Sequence, residues 1–180
     1  PDFYKIGVSH FIDPDIVKDY KELKKIGINS YMFPVEISYI NGKIMYKGNW
    51  KERTSYLINK AHKDGLNFVY SLSEIDWDLW ESPEYENPPQ ELIDKWLENY
   101  TIVVGEVAKF AEESKADVLI ISANPQMIRI EPDKTPYFYS VYEKLLQEML
   151  KEARKYYKGE IGFDFGGLTG GLLEAEAPFI

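Results

Sequence analysis

The chain has 180 residues, a formal net charge of −9, a hydrophobic fraction of 44% and no cysteine. That length fits one large domain, or two very small ones, with a sizeable core. The acidic balance argues against a nucleic-acid partner, which needs clustered Lys and Arg; the missing Cys excludes disulfides and thiolate metal sites; no apolar run nears the ~18 residues of a membrane helix.

Residues 4–11 read as a first strand. Asp13-Pro14 then opens a helix, because Asp accepts free N–H groups and Pro suits the first turn. Ile16, Val17, Tyr20 and Leu23 follow at helical spacing, and Gly27 ends the helix. Residues 28–35 form a second strand, and Glu36 follows it in a loop. Asn41-Gly42 between alternating apolar residues is a hairpin signal, read as a small excursion above the sheet. A helix runs from about Trp50 to Asp64 and stops at Gly65.

A third strand covers residues 66–72. After it comes a polar, aromatic loop with Glu74, Asp76, Trp77 and Trp80, continuing to Pro88-Pro89. A long helix spans about Gln90 to Lys115. The fourth strand, residues 116–123, is apolar enough to be buried on both faces. Another loop leads to a helix from about Tyr137 to Tyr157, a fifth strand at 159–165 and a Gly-rich tail.

The unit repeats. Lys25-Ile26-Gly27-Ile28-Asn29 is similar to Lys63-Asp64-Gly65-Leu66-Asn67, and Lys115-Ala116 and Lys158-Gly159 hold equivalent places before strands four and five. Strands alternating with helices predict right-handed crossovers and a parallel sheet, an α/β domain of repeated (β/α) units over 1–180. Turns before the strands are short and loops after them long. Function in such folds lies at the carboxyl ends of strands.

Two architectures fit. One is part of a TIM barrel, its N-terminal five strands in sequential order; a whole barrel needs about 250 residues. The alternative is a five-stranded doubly wound, flavodoxin-like sheet. The missing Gly-rich phosphate turn favours the partial barrel.

Each polar residue near a strand end admits a plain and a sharper reading. Glu74 and Asp76 beside Trp77 and Trp80 are either a solvated acidic loop or hydroxyl acceptors next to a stacking face for a sugar. Glu36 either caps local N–H groups or joins the site. His10, at the end of strand one, is a satisfied histidine or a hydrogen-bonding partner for a hydroxyl. Asp164 in an apolar strand is a site carboxylate or half of an ion pair. Asn124 and Gln126 make a tight Asn-Pro turn or a site just past strand four. His62, inside a helix, reads as structural. Two separated histidines make no metal cluster, so neither metal nor cofactor is expected.

The order of elements carries a resemblance: Gly27-Ile28-Asn29, a strand, a hairpin, a helix led by Trp50, Gly65-Leu66-Asn67, a strand, a long helix with Trp96 and Tyr100, and a strand rising to Asn124. From Tyr4 to about Gly167 this resembles the TIM-barrel glycoside hydrolases of the large retaining clan, in particular endo-mannanase- and endo-galactanase-like members. The resemblance implies action on, or binding of, a β-linked polysaccharide. It implies Asn-Glu after strand four, with Glu as general acid/base, and a nucleophilic Glu from strand seven. Here Asn124 takes the Asn position, Pro125 follows, and Gln126 stands at the acid/base position. Gln cannot donate the proton a retaining mechanism requires.

The expected catalytic positions are therefore Gln126, Glu74 and Asp164, with His10, Glu36, Asp76, Trp77, Trp80 and Asn124 binding substrate. A catalytically inactive carbohydrate-binding or scaffold domain, and a small partner-binding domain of the flavodoxin-like kind, are the other functional readings. Abundant Lys, Glu, Ile and Tyr without Cys is the composition of a heat-adapted protein. The compartment stays open between cytoplasmic and secreted with its signal removed.

Overall fold

The computed structural model describes residues 24–40, 43–46, 48–74, 90–122 and 135–164. Strands β1 (Ser30–Ile40), β2 (Lys43–Tyr46), β3 (Asn67–Glu74), β4 (Val118–Ser122) and β5 (Glu160–Asp164) alternate with helices α1 (Trp50–Lys63), α2 (Gln90–Ser114) and α3 (Thr135–Tyr156). The expected first strand and most of the helix after it lie outside the described residues.

The strands form one sheet in the order β2-β1-β3-β4-β5. β2 is the returning arm of the hairpin and pairs antiparallel with β1. The other four strands are parallel and strictly sequential. In a flavodoxin-like sheet the first strand separates the second from the third. Here β1, the expected second strand, pairs directly with β3 over eight positions from Ser30↔Asn67 to Ile37↔Glu74. That pairing removes the doubly wound alternative and leaves the partial barrel.

The side on which the helices lie agrees. Tyr31, Val35, Phe68, Tyr70, Leu72, Leu119 and Ile121 share one buried cluster with Leu57, Ile58 and Ala61 of α1, Val104, Val107 and Ala108 of α2, and Leu146, Met149 and Ala153 of α3. The strand members alternate at two-residue spacing, so they belong to one face. Val69 and Val118 are buried too, but outside that cluster. All three helices therefore cover the same face, as successive right-handed crossovers advancing in one direction require. The helices meet this face through stripes such as Thr54, Leu57, Ile58 and Ala61 on α1, spaced three and four residues apart.

One expectation needs correcting. The strand expected to end at residue 35, with Glu36 in a loop, instead runs unbroken to Ile40. Residues 37–40 keep extended geometry because they pair with 46–43 across the hairpin, while Ile37 also pairs with Glu74. Glu36 thus lies inside a strand.

Short turns lead into the strands. α1 closes with Gly65 N–H donating to His62 O (3.0 Å) and Leu66 N–H to Ala61 O (2.9 Å); Gly65 has φ 74°. α2 closes the same way, with Lys115 N–H on Glu112 O (3.2 Å) and Ala116 N–H on Ala111 O (2.9 Å). This double bond pattern needs a left-handed residue, and at α2 that residue is Lys115, φ 63°. Polar side chains stitch these turns together. Asp117 Oδ2 accepts Phe68 N–H (2.7 Å) and lies 2.8 Å from His62 Nε2, so His62 is a structural tie from α1 to β4. Tyr157 Oη donates to Ala116 O at 2.8 Å in the buried turn after α3.

Two expectations follow. Lys115→Gly should raise the free energy of unfolding by about 0.5–1 kcal/mol, since a Cβ in the left-handed region is strained, read as a higher urea midpoint at unchanged slope. Gly159→Ala should lower it by about 1–3 kcal/mol. A Cβ there would run into Tyr157 Oη and Cζ, and that buried, hydrogen-bonded ring has little room to move. Equal midpoints for Gly159→Ala and wild type would show that the ring yields.

Candidate functional site

The carboxyl ends of the parallel strands are the place to look for chemistry in this fold. Val35, Leu72, Ile121 and Phe163 form one register row across all four. The next residue on each strand is polar: Glu36, Ser73, Ser122 and Asp164. Glu36 pairs with Ser73 and Ser122 with Asp164. Two carboxylate positions and two hydroxyl positions thus follow the row from Val35 to Phe163 toward the carboxyl ends of the parallel strands. Such residues accept and donate hydrogen bonds to hydroxyl-rich ligands.

Alternation separates the three described candidates. Positions 36 and 164 fall in the register set of Pro34 and Gly162, away from the helices. Position 74 falls in the set of Phe68, Tyr70 and Leu72, which the helices cover. Glu74 pairs with Ile37, one place beyond the Glu36 row. His10, Asp76, Trp77, Trp80, Asn124 and Gln126 lie outside the described residues.

Spacing limits what the row can do. Parallel neighbours stand about 4.8 Å apart, so three steps from β1 to β5 put positions 36 and 164 about 14 Å apart along the sheet. A retaining glycosidase pair needs its carboxyl groups about 5–5.5 Å apart. Positions 36 and 164 therefore stand at the two ends of the row, farther apart along the sheet than such a pair. Among the described residues no group of three or more His, Asp or Glu could hold a metal ion, and no helix is long and apolar enough to cross a membrane.

Sequence reasoning missed the structure beside this row. Tyr46, at the foot of the hairpin, stacks on Trp50 at 4.9 Å between ring centroids. Trp50 meets Phe110 of α2 edge-on at 5.1 Å and stacks on Tyr70 of β3 at 6.4 Å. Tyr46 Oη donates to Glu106 Oε2 at 2.5 Å. Burial, and then the Glu106 carboxylate that accepts its proton, push the Tyr46 phenol far above its ordinary range. Tyr46 and Trp50 flanking a helix start give a local aromatic signal; Glu106, 60 residues away, gives none.

No family model matches the sequence, and no curated protein matches it. Solved structures do. The GH113 β-mannanase AaManA from Alicyclobacillus acidocaldarius, in complex with ManMIm, superposes with a TM-score of 0.56 and 16% identity over 84% of this chain and 48% of that one. Thermotoga maritima Cel5A in complex with a mannotriose substrate gives 0.51 and 21%, over 87% of this chain and 47% of that one. ZgEngAGH5_4 in complex with a cellotriose gives 0.55 and 13%, over 79% and 44%. The chain spans about half the length of the structures it matches. At these identities the likeness shows the fold: the parallel strands and one-sided helices of this chain are arranged as part of a TIM barrel of the kind seen in glycoside hydrolases.

Proposed function

We propose that this chain is a glycoside-hydrolase-like barrel domain that binds a β-linked polysaccharide at the carboxyl ends of its parallel strands. The row Glu36, Ser73, Ser122 and Asp164 carries the proposal. It combines hydroxyl-binding groups, the functional end of the fold and the side of the sheet away from the helices. The likeness to a β-mannanase and to structures holding mannotriose or cellotriose supports a β-linked manno- or gluco-oligosaccharide as the ligand. In this reading Asn124, Asp76, Trp77 and Trp80 complete the cleft from the loops after β4 and β3. Gln126 stands where the resemblance implies an acid, and Glu74 remains a proposed carboxylate of the site.

A second reading, a catalytically inactive carbohydrate-binding or scaffold domain, is favoured by the spacing of the row. Glu36 and Asp164 are too far apart for the two-carboxylate chemistry, and Gln126 has no proton to give. The two readings share a ligand and differ in turnover.

Titration calorimetry with manno- and cello-oligosaccharides, paired with a reducing-sugar assay on mannan and β-glucan, decides between them. The 180-residue chain should bind and should not hydrolyse above background. Asp164→Ala and Glu36→Ala should each weaken binding about tenfold, the ~1.4 kcal/mol of a hydrogen bond to a charged acceptor. Gln126→Glu in the same chain should leave turnover at background. Hydrolysis by the unmodified chain, abolished by Glu74→Ala or Asp164→Ala, would show that the acid and nucleophile are already present. Absence of binding to every oligosaccharide would overturn the carbohydrate reading.

A further inference from the structure

We propose that Glu106 of α2 is a positioning residue: its hydrogen bond with Tyr46 latches the β1–β2 hairpin onto α2 and holds the end of the parallel β1–β3 pairing, where Glu36 and Glu74 lie. The role in a ligand site rests on the carbohydrate reading above; the latch itself does not.

Three observations place the latch where it can act. The first is register. Tyr46 pairs with Ile37, and Ile37 pairs with Glu74, so the three form one row with buried Ile37 in the middle. The second is continuity. β1 passes from the parallel sheet into the hairpin without a break, and Glu36 is the residue before Ile37. A hairpin arm that swings away from α2 must pull on Ile37, and so on both carboxylate positions beside it. The third is the double hold on α2. Phe110, one turn after Glu106, receives the edge of Trp50, on which Tyr46 stacks, so ring and carboxylate engage the hairpin from neighbouring turns of one helix.

The chemistry suits a directional hold. The ring stack fixes distance weakly and tolerates sliding. A phenol donating to a carboxylate at 2.5 Å fixes orientation, and burial keeps Tyr46 protonated as the donor. α2 is also the next described element after β3 in the chain, so the latch ties the parallel ends of β1 and β3 to the helix that follows β3.

Hydrogen exchange of the 180-residue chain tests this. Tyr46→Phe keeps the stack and loses the donor; Glu106→Ala loses the acceptor; Glu106→Gln keeps an acceptor without charge. Tyr46→Phe and Glu106→Ala should each speed exchange about tenfold at residues 37–40, 43–46 and 73–74, leaving residues 118–122 unchanged. Glu106→Gln should do less. The double variant should exchange no faster than either single one, because one bond is being removed twice. Additive effects, unchanged exchange, or a change confined to residues 43–46 would each overturn the proposal. Mannotriose titration supplies the second arm: binding should weaken in step with exchange at residues 73–74. If the wild type binds no mannotriose, the carbohydrate reading fails and exchange alone decides the latch. If the variants loosen the strand ends yet bind as tightly as wild type, the positioning role fails and the carbohydrate reading stands.

Discussion

The structure depends on a single alternation. Along the parallel strands every second residue joins or packs against a cluster shared with all three helices: Tyr31 and Val35 on β1, Phe68, Tyr70 and Leu72 on β3, and Leu119 and Ile121 on β4 belong to it, and Phe33 on β1 and Ile161 and Phe163 on β5, partly buried, pack against it. Side chains on a strand repeat with period two, so a slip of one residue would carry the whole apolar set to the other face. Burial of this cluster thus fixes register, and register fixes which residues end each strand. Glu36, Ser73, Ser122 and Asp164 come into one row because the residues before them are locked together as Val35, Leu72, Ile121 and Phe163. The helices thus decide, from one side of the sheet, which strand positions belong to the other.

The two ends of the sheet carry different physics. At the amino ends, α1 and α2 enter the following strands through tight left-handed closures at Gly65 and Lys115, and side chains bind the turns to one another. Asp117 alone engages Phe68 N–H and His62, and Tyr157 reaches Ala116. Among the described residues, polar side chains there satisfy backbone groups. The carboxyl ends bear carboxylate and hydroxyl positions at the start of long connections. A fold divided this way can change its loops without disturbing its stitches, the economy of TIM-barrel proteins.

Much of this was legible in the sequence. Helix-ending glycines at 27 and 65, the repeated unit and the hydrophobic stripes gave the parallel (β/α) order, because each is local: a backbone that needs positive φ asks for Gly, and a helix face repeats every three or four residues. The boundaries of β1 were not legible. Residues 37–40 are held extended by a partner arm, and pairing outweighed the polar residue at Glu36 that reads as a loop. The left-handed Lys115 gave no sign, since its conformation is imposed by the bonds around it. Of the expected site carboxylates, Glu36, Glu74 and Asp164 fall among the described residues, and their division between the two register sets of the sheet was not legible, because it depends on a strand pairing that no local pattern carries.

The hairpin shows why that division matters. A TIM-barrel strand normally ends where its helix connection begins. β1 instead continues for four residues, paired with β2, and its last parallel partner is Glu74. Ile37 therefore serves two ladders at once, one parallel and one antiparallel, and cannot shift in one without straining the other. Tyr46 completes the row on the outer side, stacked on Trp50 of α1 and hydrogen-bonded to Glu106 of α2, while Phe110 of α2 packs against Trp50. Position 74, on the helix-covered face, thus belongs to the same mechanical unit as the hairpin, whereas positions 36 and 164 belong to the row that faces away. Glu36 is one residue from the place where both ladders meet, so the row and the hairpin share one peptide unit.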